Sequence, residues 1–213
     1  MKKRIVALLI AGIAGTVYNS VSAPSAAQAL ERVNLPEAVR QGKVKAEVAG
    51  SGLSSVTLTV HRVGKEGIRI VVPVGTFFVN AGDAQNMIST TEEAIDLTSR
   101  DSATVAIDAT CANFHRAEPD SSSSFTVRST TGNPELDRLT KVIARKQPSG
   151  VVTQVAIWVV TDNPSREELD STYQSSFSPF GPGSPAASDD DIEEARKLLR
   201  EAGIDTSRKQ LFQ

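Results

Sequence analysis

Between Lys43 and about Val127 the apolar residues recur at every second position; beyond that they recur every third or fourth. This change of period constrains the fold more than any other feature. Side chains alternate across a strand, whereas on a helix they return to one face at intervals of three and four. The chain therefore reads as strands first and helices afterwards. In VTLTVHRV, Val56, Leu58 and Val60 point one way and Thr57, Thr59 and His61 the other. GIRIVVPVGTFFVN repeats the pattern with Ile68, Ile70 and Val72, until Pro73 and Gly75 interrupt it, as at an edge strand or a bulge. AQNMIST and EAIDLTS are shorter strand candidates, and SATVAIDATCANF is a long one with Val105, Ile107 and Ala109 on one face. Cys111 shares that parity, so its thiol is expected to point to the core. Short strands separated by turns such as AGD and SRD imply an antiparallel arrangement. The expected fold is α+β: a small antiparallel β-sandwich or barrel over about 43–129, with a C-terminal helical part packed on it.

The helical part carries its own punctuation. Asn133 with Pro134 opens a helix striped by Leu136, Leu139 and Ile143, and QPSG closes it. The next run, VVTQVAIWVVT at 151–161, fits either a buried strand or a buried helix, since periodicity alone does not separate them. Ser149 as a cap and the helical neighbours favour the helix; the β-branched content favours the strand. Asp162, Asn163 and Pro164 end it. Ser165 with Glu168, and Ser188 with Asp191, have the spacing of capping boxes. The last helix has an apolar stripe of Ile192, Ala195, Leu198, Leu199 and Ala202. Gly203 should be its left-handed cap, with Ile204 reaching back to Leu199. Between the last two helices, residues 174–188 are rich in Ser, Pro and Gly and read as a loop that Phe177 and Phe180 would pin to the body.

Compartment and partners follow from the first residues and the charge. Lys2, Lys3 and Arg4 precede a short apolar stretch, Ile5 to Ala14, and then small residues. This is the pattern of a secretory signal peptide, expected to be cut after Ala23 or Ala29. The alternative is a leader left uncleaved, the only route by which the chain would touch a membrane. The expected organisation is therefore a leader at 1–29, a globular domain at 30–173, the loop, and a helix with its tail at 189–213. The whole chain has a net charge of −2. All charge in the leader is positive, so the remainder is more acidic still, and nothing basic enough to bind nucleic acid remains. The expected location is secreted, periplasmic or cell-surface, and the expected partner a surface protein or small ligand.

A single cysteine, Cys111, excludes a disulfide within the chain. In an oxidising compartment a lone thiol should be buried or chemically occupied. His115 lies four residues on and could activate it, which would make the chain a cysteine hydrolase. His61 sits on the polar side of its strand. Cys111, His115 and a carboxylate such as Asp108 or Glu118 have no spacing that matches a metal site, so neither metal nor other cofactor is expected. Glu92–Glu93 and Asp189–Asp191 read as a solvated face and a helix start. Neither a glycine-rich phosphate loop nor a serine elbow occurs.

One polar residue stands out in the apolar run. On a helix, Gln154 and Trp158 share a face, and a buried amide must find partners. Those partners could be the backbone of a neighbouring strand, or Cys111. The segment TQVAIW resembles the glutamine motif of the bacterial thioester domain, a module of exported surface adhesins that combines β structure with helices. In that family an upstream cysteine and this glutamine join as an internal thioester. The resemblance implies Cys111 as the thiol and Gln154 as the acyl donor, with Ala156 and Trp158 packing around them. Such a module captures amines or hydroxyls covalently, without turnover. The remaining class is a plain exported binding or structural domain in which Cys111 and Gln154 are core residues.

Overall fold

The structure, a computed structural model, describes residues 32–174 and 187–213. The expected leader at 1–29, with its cleavage positions, lies outside the described residues. So does most of the 174–188 loop, with Phe177 and Phe180.

The alternating segments close into a barrel. Six antiparallel strands follow one another in the order β2 (Val44–Gly50), β3 (Ser55–Arg62), β8 (Ser102–Ala112), β6 (Asn86–Ser89), β5 (Phe77–Asn80) and β9 (Ser124–Arg128), and β9 pairs back onto β2. Register puts Val56, Leu58 and Val60 opposite Ile107, Val105 and Ala103. The face they share is the barrel interior, where Val56, Leu58, Val60 and Ile107 are buried. Closure leaves this sheet with no edge to protect. Of the two expected arrangements, sandwich or barrel, the chain adopts the barrel.

A second, three-stranded sheet lies beside it. In it β4 (Arg69–Val72) pairs in parallel with β1 (Arg32–Asn34) and antiparallel with β7 (Glu93–Asp96). A six-residue helix, α1 (Leu35–Arg40), follows β1 and buries Leu35 and Ala38. The segment GIRIVVPVGTFFVN is thus neither one edge strand nor a bulged one. It divides into β4 of the small sheet and β5 of the barrel. Pro73, which cannot donate to a ladder, instead offers its carbonyl to Thr76 N at 3.1 Å, Thr76 Oγ1 at 2.8 Å and Ser89 Oγ at 2.7 Å. Gly75 turns the chain with φ of 86°, and a Cβ there would meet Thr140 Oγ1 at 2.8 Å. Both its conformation and its packing require glycine.

Helices cover one side of the barrel. Asn133 caps α2 (Pro134–Lys146) by accepting from Glu135 N at 2.9 Å, and Ser149 caps α3 (Gly150–Thr161) by accepting from Val152 N at 3.2 Å. The 151–161 run is therefore a helix. Its β-branched residues are tolerated because every side chain from Val152 to Val160 is buried, so packing outweighs propensity. It lies against β8 and is flanked by α2 and α5 (Asp189–Glu201). Ser165 and Glu168 exchange bonds ahead of α4 (Arg166–Gln174), and Ser188 and Asp191 form the box that starts α5. Gly203, at φ of 69°, follows α5. Its N–H reaches Arg200 O and that of Ile204 reaches Leu199 O, each at 3.0 Å. This is the double bond pattern of a left-handed helix stop.

Candidate functional site

Two neighbouring strands of unequal reach create the site. β3 pairs with β8 from His61↔Ser102 to Ser55↔Asp108, and the last bond on that side is Ala109 N to Ser54 O at 3.0 Å. β8 runs on to Ala112, still paired with β6 through Met87↔Cys111 and Asn86↔Ala112. Backbone groups two residues apart on a strand point to the same side. The N–H and C=O of Cys111 therefore face the side that β3 has vacated.

Gln154 fills that vacancy from α3. Its Oε1 accepts from Cys111 N at 3.1 Å, and its Nε2 donates to Cys111 O at 2.7 Å. The side-chain amide stands in for a strand residue and completes the ladder by one rung. Thr110 Oγ1 donates a further hydrogen bond to the same Oε1. Gln154 is 1% exposed and Thr110 7%, so these bonds form away from water, where an unpaired polar group is costly.

The Cys111 thiol points to the barrel interior, as its parity requires, and is fully buried. It lies 3.5 Å from Met87 Sδ and 3.6 Å from Leu53 O. Burial, and secondarily the Glu118 carboxylate, pushes its pKa from 9.0 up to about 12. Burial likewise raises the carboxyl of Glu118 above its ordinary value. A thiol in such surroundings stays protonated at neutral pH and is a poor free nucleophile.

Beside Gln154 the surface opens into a groove of about 620 Å³, lined among others by Thr110, Asp108, Thr91, Ile143 and Pro148. Trp158 does not line it. Its indole packs edge-on to Phe114, with centroids 4.9 Å apart, and Nε1 donates to Gln85 Oε1 at 3.4 Å. Gln85, buried, is held in turn by Arg116 O. His115 is exposed and meets Phe114 edge-on, with ring centroids 5.1 Å apart. Among the described residues, no group of three or more His, Cys, Asp and Glu side chains is arranged to hold a metal ion.

Cys111 and Gln154, 43 positions apart, are thus in direct contact. Trp158 supports the same helix face one turn on. Thr110, Leu53 and Met87 escaped the reading of the sequence. Thr110 had a visible signal, a hydroxyl beside the cysteine at the end of a strand. Leu53 and Met87 depend on strand register, which the sequence does not spell out. No family model, curated protein or solved structure matches this chain. Fold and site define it as an α+β barrel domain whose helical layer is locked to the end of β8 by one glutamine.

Proposed function

We propose that this chain is an exported, non-enzymatic surface-interaction domain, and that Cys111 and Gln154 close an internal thioester for covalent attachment to a partner. The observation that carries this reading is the double bond of the Gln154 amide to the backbone of Cys111, with Thr110 as a second donor to the amide oxygen. Two donors converge on the oxygen that becomes negative when a thiol adds to the amide carbon. Fixed donors of this kind are the strongest single aid to acyl transfer. In the closing step the sulfur–carbon bond forms and the carbon–nitrogen bond breaks. The thiol proton leaves with the amide nitrogen as ammonia. The sulfur must give up its proton to attack while the departing nitrogen must gain one, so the two transfers balance within the step. Opening by an amine reverses the pattern: a new amide forms on Gln154 and a proton returns to the Cys111 sulfur.

Export is supported by the leader pattern at 1–29. Capture without turnover is supported by the burial of Cys111. A hydrolase would need this thiol as a thiolate beside a base, and His115 lies exposed against Phe114.

A second reading is favoured by a specific observation. The thiol is bonded to Leu53 O and Met87 Sδ, away from the amide, which makes three hydrogen bonds of its own, one to Thr110 and two to the Cys111 backbone. In this reading Gln154 is a structural lock in a plain exported binding domain. Intact mass of freshly purified protein separates the two. A thioester makes the chain one ammonia lighter than its sequence, and Cys111→Ala and Gln154→Ala each abolish the deficit. Full sequence mass leaves the structural lock standing alone.

A further inference from the structure

We infer that Asp108 is the specificity residue of the groove and that it selects, as acyl acceptor, an aliphatic diamine whose second nitrogen stays charged while the first attacks. The inference rests on the thioester reading. Asp108 is the sole ionisable residue among those lining the groove; the others are hydroxyl, amide, glycine, proline and aliphatic. Its carboxylate is exposed, with Thr91 Oγ1 donating to Oδ2 at 3.4 Å. A groove with a single negative charge and no positive one concentrates cations.

The position of that charge decides what kind of cation fits. Asp108 and Thr110 are two residues apart on one face of β8, a spacing of about 7 Å. Thr110 is bonded to the Gln154 amide oxygen, so the acyl carbon lies beside it. A monoamine held by Asp108 has its only nitrogen one strand repeat from the carbon it must attack, and the carboxylate keeps that nitrogen protonated. A diamine of matching span resolves both difficulties. One ammonium pairs with Asp108, the methylenes run along Ile143 and Pro148, and the far nitrogen, as free base, reaches the acyl carbon. There the nitrogen–carbon bond forms, the carbon–sulfur bond breaks, and one amine proton passes to the Cys111 sulfur. The product is a substituted Gln154 amide carrying the other ammonium on Asp108.

The test follows adduct mass on the full mature chain with two acceptors, 1,4-diaminobutane and 4-aminobutan-1-ol, at equal concentrations of free-base amine. The wild-type protein is expected to take up the diamine about fivefold faster at low salt, as suits one exposed ion pair. Raising the salt should shrink that ratio, and Asp108→Asn should bring it close to one. Equal rates in the wild type, or a preference that survives Asp108→Asn, overturn the inference. The ammonia deficit is read on the same samples before any amine is added. A deficit with no acceptor preference removes Asp108 alone, whereas no deficit removes the thioester and this inference with it.

Discussion

Cys111→Ala separates the two roles of the site, because the bonds that Gln154 makes to residue 111 all go to its backbone. The substitution removes the sulfur, and any thioester made with it, while the Gln154 amide stays available for both bonds to the residue 111 backbone. That sulfur is fully buried against Met87. Losing one buried atom of this size costs about 1 kcal/mol in transfer and residual cavity. A thioester adds a much larger sum. It joins residues 43 positions apart, and in the chain-entropy account a crosslink over such a loop stabilises by about 4 kcal/mol. The expected cost of Cys111→Ala is therefore about 5 kcal/mol with the thioester and about 1 kcal/mol without it. The difference is large against the total stability of a domain this size. Equilibrium unfolding in urea reads it directly. Removing a crosslink also lets the unfolded chain expand, so the urea dependence should steepen. A cost near 1 kcal/mol with unchanged slope refutes the crosslink.

The rung itself is tested by adding Gln154→Leu to Cys111→Ala, where no thioester can form; the change keeps the volume but leaves the backbone N–H and C=O of residue 111 unpaired in the core, so a further loss of about 2–4 kcal/mol by urea unfolding is expected, and a stability within about 0.5 kcal/mol of Cys111→Ala would mean that the amide carries no weight. Any chain with a free Cys111, such as Gln154→Leu or amine-opened protein, should lose stability with rising pH. Its thiol pKa is raised in the fold from 9.0 to about 12, so between those values the unfolded chain has released a proton that the folded one still holds. Stability is complete below pH 9.0 and declines towards about 12; unfolding curves across that window in which Cys111→Ala shows the same decline would place the titration elsewhere. Gly203→Ala should cost about 1–2 kcal/mol, since a Cβ there meets no neighbour and only the left-handed backbone objects; an unchanged melting temperature contradicts that assignment.

The barrel was legible because β3 and β8 alternate in sequence, with a half-buried polar face on β3 and an exposed one on β8 as far as Asp108. The helix ends were legible because Asn133, Ser149, Ser165, Ser188 and Gly203 each carry a local signal that needs no partner. The small sheet was not. β1 is three residues long and pairs in parallel with a strand 37 positions away, so nothing near Arg32–Asn34 announces it. Pro73 and Gly75 read as an interruption, but only three-dimensional packing says that the chain changes sheet there. At the site, the need of a buried Gln154 for partners followed from its apolar surroundings; of the two left open, the backbone of a neighbouring strand or Cys111, the amide takes the backbone of Cys111 itself. The form of that contact depends on β3 stopping short of β8, a matter of register and loop length. The partners of Trp158, Phe114 and Gln85, were not legible: its indole N–H needs an acceptor when buried, but only the fold says that the Gln85 amide supplies it.

The covalent bond between Cys111 and Gln154 is tested most directly by weighing freshly purified mature protein before and after methylamine. The expected result is a mass one ammonia below the sequence, then a rise by one whole methylamine, with the adduct mapped to Gln154 and a thiol newly available to alkylation in denaturant. A mass equal to the sequence at the outset, unchanged by methylamine and with Cys111 alkylated in full in denaturant, would contradict it and leave Gln154 as the lock of a non-covalent domain.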